Sequence, residues 1–203
     1  MGKLITFVGV SGVGKTTLDK ALAATGGFAT GFEQHAERPF QHLFDQDKRY
    51  ALHNQVDYLL LRAEQERTLR ADARPALIDG GLDVDFHGFA RLFHAHGYLS
   101  DAEFDLCKRL YIQLRAALPL PELVIYLTAS EDVIHQRLAG RDRVNIATQD
   151  DMSLLEEYLR DWLAEIPADR ILEFDVSADD PSFAGLLPIL QQKLVNRKIQ
   201  IKY

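Results

Sequence analysis

Residues 9–16 read Gly9-Val10-Ser11-Gly12-Val13-Gly14-Lys15-Thr16, matching Gly-x-x-x-x-Gly-Lys-[Ser/Thr] at every fixed position. A short apolar, β-branched and aromatic run, Leu4-Ile5-Thr6-Phe7-Val8, precedes it, and a helical stretch over Lys15 to Ala24 follows. Strand, glycine-rich turn and helix in that order commit the N-terminus to a parallel α/β sheet. The spacing has a physical basis. Glycines let successive backbone N–H groups converge on phosphate oxygens, and a helix N-terminus adds positive potential. Gly9, Ser11, Gly12, Val13, Gly14, Lys15, Thr16 and Thr17 are therefore the candidate phosphate cradle. Lys15 is placed to reach the β- and γ-phosphates and the Thr16 hydroxyl to ligate Mg²⁺. The motif implies a bound nucleoside triphosphate, with ATP and Mg²⁺ as the expected pair.

The rest of the chain keeps the same rhythm. Short strands are expected at Phe28 to Glu33, Ala76 to Asp79, Leu123 to Leu127 and Ile171 to Phe174. Helices are expected at Asp45 to Ala71, Phe86 to Ala95, Asp101 to Ala117, Glu131 to Ala139, Asp150 to Ala164 and Phe183 to Val195. Asp79 ends a buried strand and is the natural carboxylate to face the phosphate loop and hold the Mg²⁺ shell. Arg137 and Arg141 lie at i, i+4 with Arg143 just beyond, and guanidinium groups bind phosphate through paired donors. His87, His94 and His96 cluster in sequence, but no neighbouring cysteine or paired acid completes a metal-ligand set.

Composition narrows the class. At 203 residues the chain is roughly 1.4 average domain lengths, which predicts one domain over 1–203. Lys and Arg number 23 against 30 Asp and Glu, a net charge of −7, which argues against nonspecific nucleic-acid binding. The single cysteine, Cys107, has no internal disulfide partner. No apolar run reaches the roughly 18 residues of a membrane span, and no signal peptide is read at the N-terminus. A cytoplasmic enzyme for a small molecule, with no nucleic-acid or membrane partner, is the expectation.

Several ordered features beyond the phosphate loop make the chain resemble the deoxynucleoside kinase family. Glu33 with Pro39-Phe40 is similar to the family's Glu after strand two and its Pro-aromatic pair. Arg49-Tyr50-Ala51-Leu52-His53-Asn54-Gln55 is similar to its Arg-Trp-Ala-Phe-x-x-Gln helix, and Asp79-Gly80-Gly81 with Asp85 falls where it has Asp/Glu-Arg-Ser and a following Asp. Gly97-Tyr98-Leu99-Ser100 resembles its helix junction, and Arg137-Leu138-Ala139-Gly140-Arg141-Asp142-Arg143 its arginine lid, here about 137–149. The resemblance spans about residues 3 to 165 and rests on order and spacing.

It implies a three-layer α/β/α P-loop NTPase fold with a parallel sheet of about five strands and an arginine-bearing lid. It also implies phosphorylation of a deoxynucleoside 5′-hydroxyl, with Glu33 as general base. Gln55 and Asp85 become contacts to the nucleobase, and Lys15, Arg137, Arg141 and Arg143 the cations of the transferring phosphoryl group. A homodimer through the helices around residues 86–117 comes from the resemblance alone. Three departures matter. Glu33 is followed by Gln34 where the family has proline, and Val144-Asn145-Ile146 stands where the lid has an acid after its last arginine. Gly80 replaces the family's arginine: either Arg38 or Arg62 substitutes, or the acceptor is not a standard deoxynucleoside or activity is low. Kinases of a nucleoside monophosphate or another small metabolite share the loop and lid, and a non-catalytic nucleotide-binding regulator shares the loop.

Overall fold

The structure, a computed structural model, describes residues 2–31, 38–139, 149–180, 182–197 and 199. Five parallel strands form one sheet in the order β2-β3-β1-β4-β5. They are β1 (Leu4–Val8), β2 (Ala29–Gly31), β3 (Ala76–Asp79), β4 (Leu123–Thr128) and β5 (Ile171–Asp175). The central strand β1 is buried along its whole length, as expected of a strand covered on both faces. Its register sets Phe7 against Asp79 on one side and Phe7 against Ile125 on the other. The strand ends carrying the phosphate loop and Asp79 are therefore neighbours, at the carboxyl edge where open parallel sheets bind ligands.

Side chains alternate across the sheet. Ile5, Phe7 and Leu77 point to the layer of α1 (Lys15–Ala24) and α9 (Leu186–Asn196), meeting Leu18, Leu22, Leu190 and Leu194. Val8, Val124 and Tyr126 point the other way, onto Leu159 and Trp162 of α8 (Gln149–Ala164). A third apolar cluster lies outside the sheet. It joins α2 (Pro39–Gln46), α3 (Ala51–Arg70), α6 (Asp101–Ala117) and the helical stretch that follows β3, through Phe44, Leu59, Phe86, Phe93, Leu99 and Cys107. The helix α7 (Glu131–Ala139) leads from β4 towards the phosphate loop.

The expected three-layer fold and five-stranded parallel sheet are what the chain adopts. Some boundaries differ, for physical reasons. The single helix expected over Asp45 to Ala71 is instead α2, a 3₁₀ turn at Lys48–Tyr50, and α3. Asp47 makes the break: its backbone is extended and its side chain accepts from the Arg49 N–H at 3.0 Å. The helix expected from Phe86 begins earlier, as α4 (Leu82–Val84), continues as a π-helical turn over Asp85–Ala90, and ends as α5 (Arg91–Ala95). The last helix starts at Leu186 rather than Phe183, because Phe183 has φ +55 and breaks the helical course. Part of the second-strand expectation, at Phe32 and Glu33, lies outside the described residues.

Candidate active site

The phosphate loop is closed upon itself and gripped from outside. Gly14, the N-cap of α1, has φ +111, a conformation for which an L side chain is strained. A Cβ there would lie 2.6 Å from the Phe183 ring, so the loop approaches its neighbours as closely as glycine permits. Lys15 Nζ donates back to the carbonyls of Gly9 at 2.9 Å and Val10 at 3.0 Å. The first N–H groups of α1 have no acceptor within the helix and face the same concavity. Arg137, on α7, donates from Nη1 to the Val13 carbonyl at 2.7 Å and from Nη2 to the Val176 carbonyl at 3.1 Å. Its guanidinium thus ties the loop to the turn after β5, with Phe183 packed against Gly14 beside it.

The sequence places Arg137 among the phosphoryl-binding cations; the structure gives its donors to two backbone carbonyls. Arg141, Arg143 and Glu33 lie outside the described residues. Phe183 and Val176 were not singled out by the sequence. Their only signal is that they follow the last strand, on the edge of the sheet that carries the loop.

Thr16 and Asp79 meet as expected, the hydroxyl Oγ1 donating to Oδ2 of the carboxylate. Asp79 is nearly buried, and strand alternation puts it on the α1 face with Leu77. A hydroxyl and a carboxylate beside a cradle of amides supply the hard oxygen donors that Mg²⁺ favours, with the phosphates completing the set. These residues fit a bound Mg²⁺–nucleotide.

The structure brings together Gln55 and Asp85, the two residues expected to contact the nucleobase. Gln55 is buried and its Nε2 donates to the Asp85 carbonyl at 2.6 Å. Arg62, two turns further along α3 on the same face, holds the Asp85 carboxylate, Nε to Oδ2 at 2.8 Å. Of the two arginines expected as candidate substitutes at Gly80, Arg62 lies beside that turn. Its Nη2 lies 3.9 Å from where a Cβ on Gly80 would stand, whereas Arg38 is bonded through Nε to Asp57 at 2.6 Å. Gly80 has φ +75, so the turn itself favours glycine over the family's arginine.

A second buried network adjoins this cluster. Arg115 binds Glu66 at 2.9 Å and contacts Asp83, Arg70 binds Glu66 at 2.9 Å and Glu122 at 3.0 Å, and Tyr111 donates to Asp83 at 2.7 Å. Burial raises the Asp83 carboxyl above the usual carboxylate range, against the pull of Arg115. His87 bonds Tyr111 at 3.1 Å and stacks on Trp162, and burial pushes its imidazole down to about 4. Of the other clustered histidines, His94 pairs with Asp101 at 2.8 Å and His96 with Asp151 at 2.5 Å. Among the described residues no three metal-ligating side chains converge, and no helix is long and apolar enough to cross a membrane.

Comparison with known proteins bears on what such a site is for. A deoxyadenosine/deoxycytidine kinase of Bacillus subtilis (strain 168) is 27% identical over 195 residues, covering 91% of this chain and 89% of that protein. A deoxyadenosine kinase of Dictyostelium discoideum is 28% identical over 180 residues, covering 84% and 72%. The fold matches deoxyadenosine kinase from M. mycoides with bound dATP, at a TM-score of 0.78 and 17% identity, over 95% of this chain and 99% of that one. The family profile for deoxynucleoside kinase matches residues 5–185, so the chain belongs to the deoxynucleoside kinase family.

Proposed function

We propose that the protein transfers the γ-phosphoryl group of ATP to the 5′-hydroxyl of a deoxynucleoside, as one catalytic unit over residues 1–203. One observation carries the reading: the Thr16–Asp79 pair and the Gln55–Arg62–Asp85 cluster share one end of the sheet, joined by the six-residue step from Asp79 to Asp85. A phosphate site and a polar, buried recognition wall are thereby side by side, as transfer between two bound substrates needs.

In this reading the amides of Gly9 to Thr17 and the Lys15 ammonium hold the triphosphate, and Thr16 and Asp79 hold Mg²⁺. The cation neutralises charge on the phosphate oxygens. Glu33 accepts the 5′-hydroxyl proton as that oxygen bonds to phosphorus. Arg141 and Arg143 bind the transferring group, while Arg137 keeps the loop and the turn after β5 in place. Gln55 keeps one amide N–H and its carbonyl for a base edge after bonding Asp85. That pair complements an amino group beside a ring nitrogen, the edge that adenine and cytosine share. Deoxyadenosine and deoxycytidine are accordingly the proposed acceptors, a choice supported by the names of the curated relatives. Cytoplasmic location and a homodimer belong to the same proposal. The dimer is supported by Leu106 and Ile112, 40% and 48% exposed on α6.

The test is incubation with ATP, Mg²⁺ and a panel of nucleosides and nucleoside monophosphates, read by product mass. Deoxyadenosine and deoxycytidine monophosphates are expected. Phosphorylation of monophosphates alone would reject this acceptor, and no product from any acceptor would leave a nucleotide-binding regulator.

A further inference from the structure

Tyr111, buried on α6, directs its hydroxyl and its ring at one short stretch of chain, the residues on either side of Asp85. The hydroxyl donates to Asp83 Oδ1 at 2.7 Å and bonds His87 Nε2 at 3.1 Å. The ring stacks on Phe86, with centroids 4.3 Å apart and planes 9° from parallel. Asp83 and His87 are each two residues from Asp85, so one hydroxyl bridges the step that presents it. That hydroxyl has a single proton, which the Asp83 carboxylate takes. The imidazole, kept neutral by burial, therefore gives its Nε2–H to the Tyr111 oxygen.

The bridge sits where the backbone leaves the ordinary helical course. Asp85–Ala90 is a π-helical turn, a rare form that occurs frequently at functional sites. Asp85 opens that turn, with its carbonyl accepting from Gln55 at 2.6 Å and its carboxylate held by Arg62 at 2.8 Å. Thus α3 holds Asp85 itself, whereas α6 holds both of its flanks. Arg115, one turn further along α6, binds the same Asp83 carboxylate, Nη2 to Oδ2 at 3.3 Å, and Trp162 of α8 stacks on His87. The phosphate loop has separate supports in Lys15 and Arg137.

We propose that Tyr111 is a positioning residue for the deoxynucleoside: by joining Asp83 to His87, its hydroxyl fixes the π-helical turn and so the direction in which Asp85 meets the base. The inference rests on the kinase reading above and adds a residue that belongs to none of the motifs read in the sequence.

The test removes the bridge and keeps the ring. Steady-state kinetics with deoxyadenosine and ATP, together with urea unfolding, are measured on the full chain for wild type, Tyr111→Phe, His87→Phe and Cys107→Ala. Tyr111→Phe is expected to raise KM for deoxyadenosine about tenfold, the upper end for one hydrogen bond, with kcat and KM for ATP within about twofold. His87→Phe keeps an aromatic ring for Trp162, removes one of the two bonds, and is expected to raise the same KM about threefold. Cys107, buried one turn earlier on α6 in the same apolar cluster, controls for loosening of the helix: Cys107→Ala should lose stability with both KM values within about twofold. An unchanged deoxyadenosine KM in Tyr111→Phe would overturn the proposal. So would equal rises in both KM values, or a rise as large in Cys107→Ala, since either makes Tyr111 a general support of the fold. Should Tyr111→Phe not fold, an unchanged deoxyadenosine KM in His87→Phe overturns it. Absence of any phosphorylated product from wild type would instead sink the kinase reading, and the proposal with it.

Discussion

Arg62 and Asp85 form an ion pair, Nε to Oδ2 at 2.8 Å, with each side chain 8% exposed. The pair closes a short circuit, since the Asp85 backbone carbonyl accepts from Gln55 on the same face of α3. Under the proposed reading, this cluster is an acceptor wall fixed by α3 before substrate arrives, which reduces the ordering that binding has to impose.

Removing one partner leaves the other charge buried. Arg62→Met is expected to lower stability by about 3 kcal/mol, the range for breaking a buried pair. It should also raise KM for the deoxynucleoside more than KM for ATP. Urea unfolding and steady-state kinetics check both; a variant as stable as wild type would show that the pair is not sealed from water.

Lys15→Ala is expected to abolish ATP turnover while far-ultraviolet circular dichroism stays unchanged, because the Nζ contacts it removes lie within the loop. Glu33→Gln should keep ATP binding and lose transfer. Full transfer by that variant would remove Glu33 as the base.

Gly14→Ala meets two obstacles at once. The backbone at φ +111 is strained for alanine, and the new methyl would meet the Phe183 ring at 2.6 Å. A cost of about 2 kcal/mol or more follows from the conformation alone. Nucleotide affinity should fall sharply, because relief requires the loop or the turn after β5 to move. Gly14→Ala with wild-type ATP affinity would mean that the loop re-forms freely.

The sheet and the phosphate loop were legible because they depend on local signals: β1 is five consecutive buried residues and the loop has a fixed glycine spacing. Gln55, Asp79 and Asp85 were placed by motif order, and the structure sets Asp79 beside Thr16 and Gln55 beside Asp85. What could not be read is set by partners far along the chain. Asp47 ends α2 inside the polar run Asp45-Gln46-Asp47-Lys48-Arg49, and a side-chain cap does not register in a hydrophobic pattern. Arg62 and Arg38 look alike in sequence; only tertiary packing sends one to Asp85 beside Gly80 and the other to Asp57.

His87 makes stability depend on pH in a stated direction. Its imidazole is held at about 4, first by burial and then by Arg91 and Arg115, whereas an unfolded chain titrates near 6.5. Between those values the unfolded state takes up a proton that the folded state refuses. The contribution is complete above about pH 6.5 and is lost as pH falls towards 4, amounting to about 3 kcal/mol in all. His87→Phe should flatten this part of a urea-unfolding profile run from about pH 7.5 to 4.5. An unaltered slope would mean that other groups carry it.

Arg137 separates holding from catalysis. Its two bonds, to Val13 at 2.7 Å and Val176 at 3.1 Å, span the phosphate loop and the turn after β5. Hydrogen bonds from a charged donor contribute about 1.5–3 kcal/mol each, so Arg137→Ala should loosen the nucleotide site substantially. Lysine brings charge without the planar fork and is expected to restore only one bond. A positioning role predicts KM for ATP raised about tenfold or more by Arg137→Ala with kcat changed much less, and partial recovery of KM in Arg137→Lys. Direct stabilisation of the transferring group predicts the opposite split, with kcat reduced by about a thousandfold at little change in KM. The geometry favours the first outcome, because two of the five guanidinium N–H groups already hold the carbonyls of Val13 in the loop and Val176 after β5.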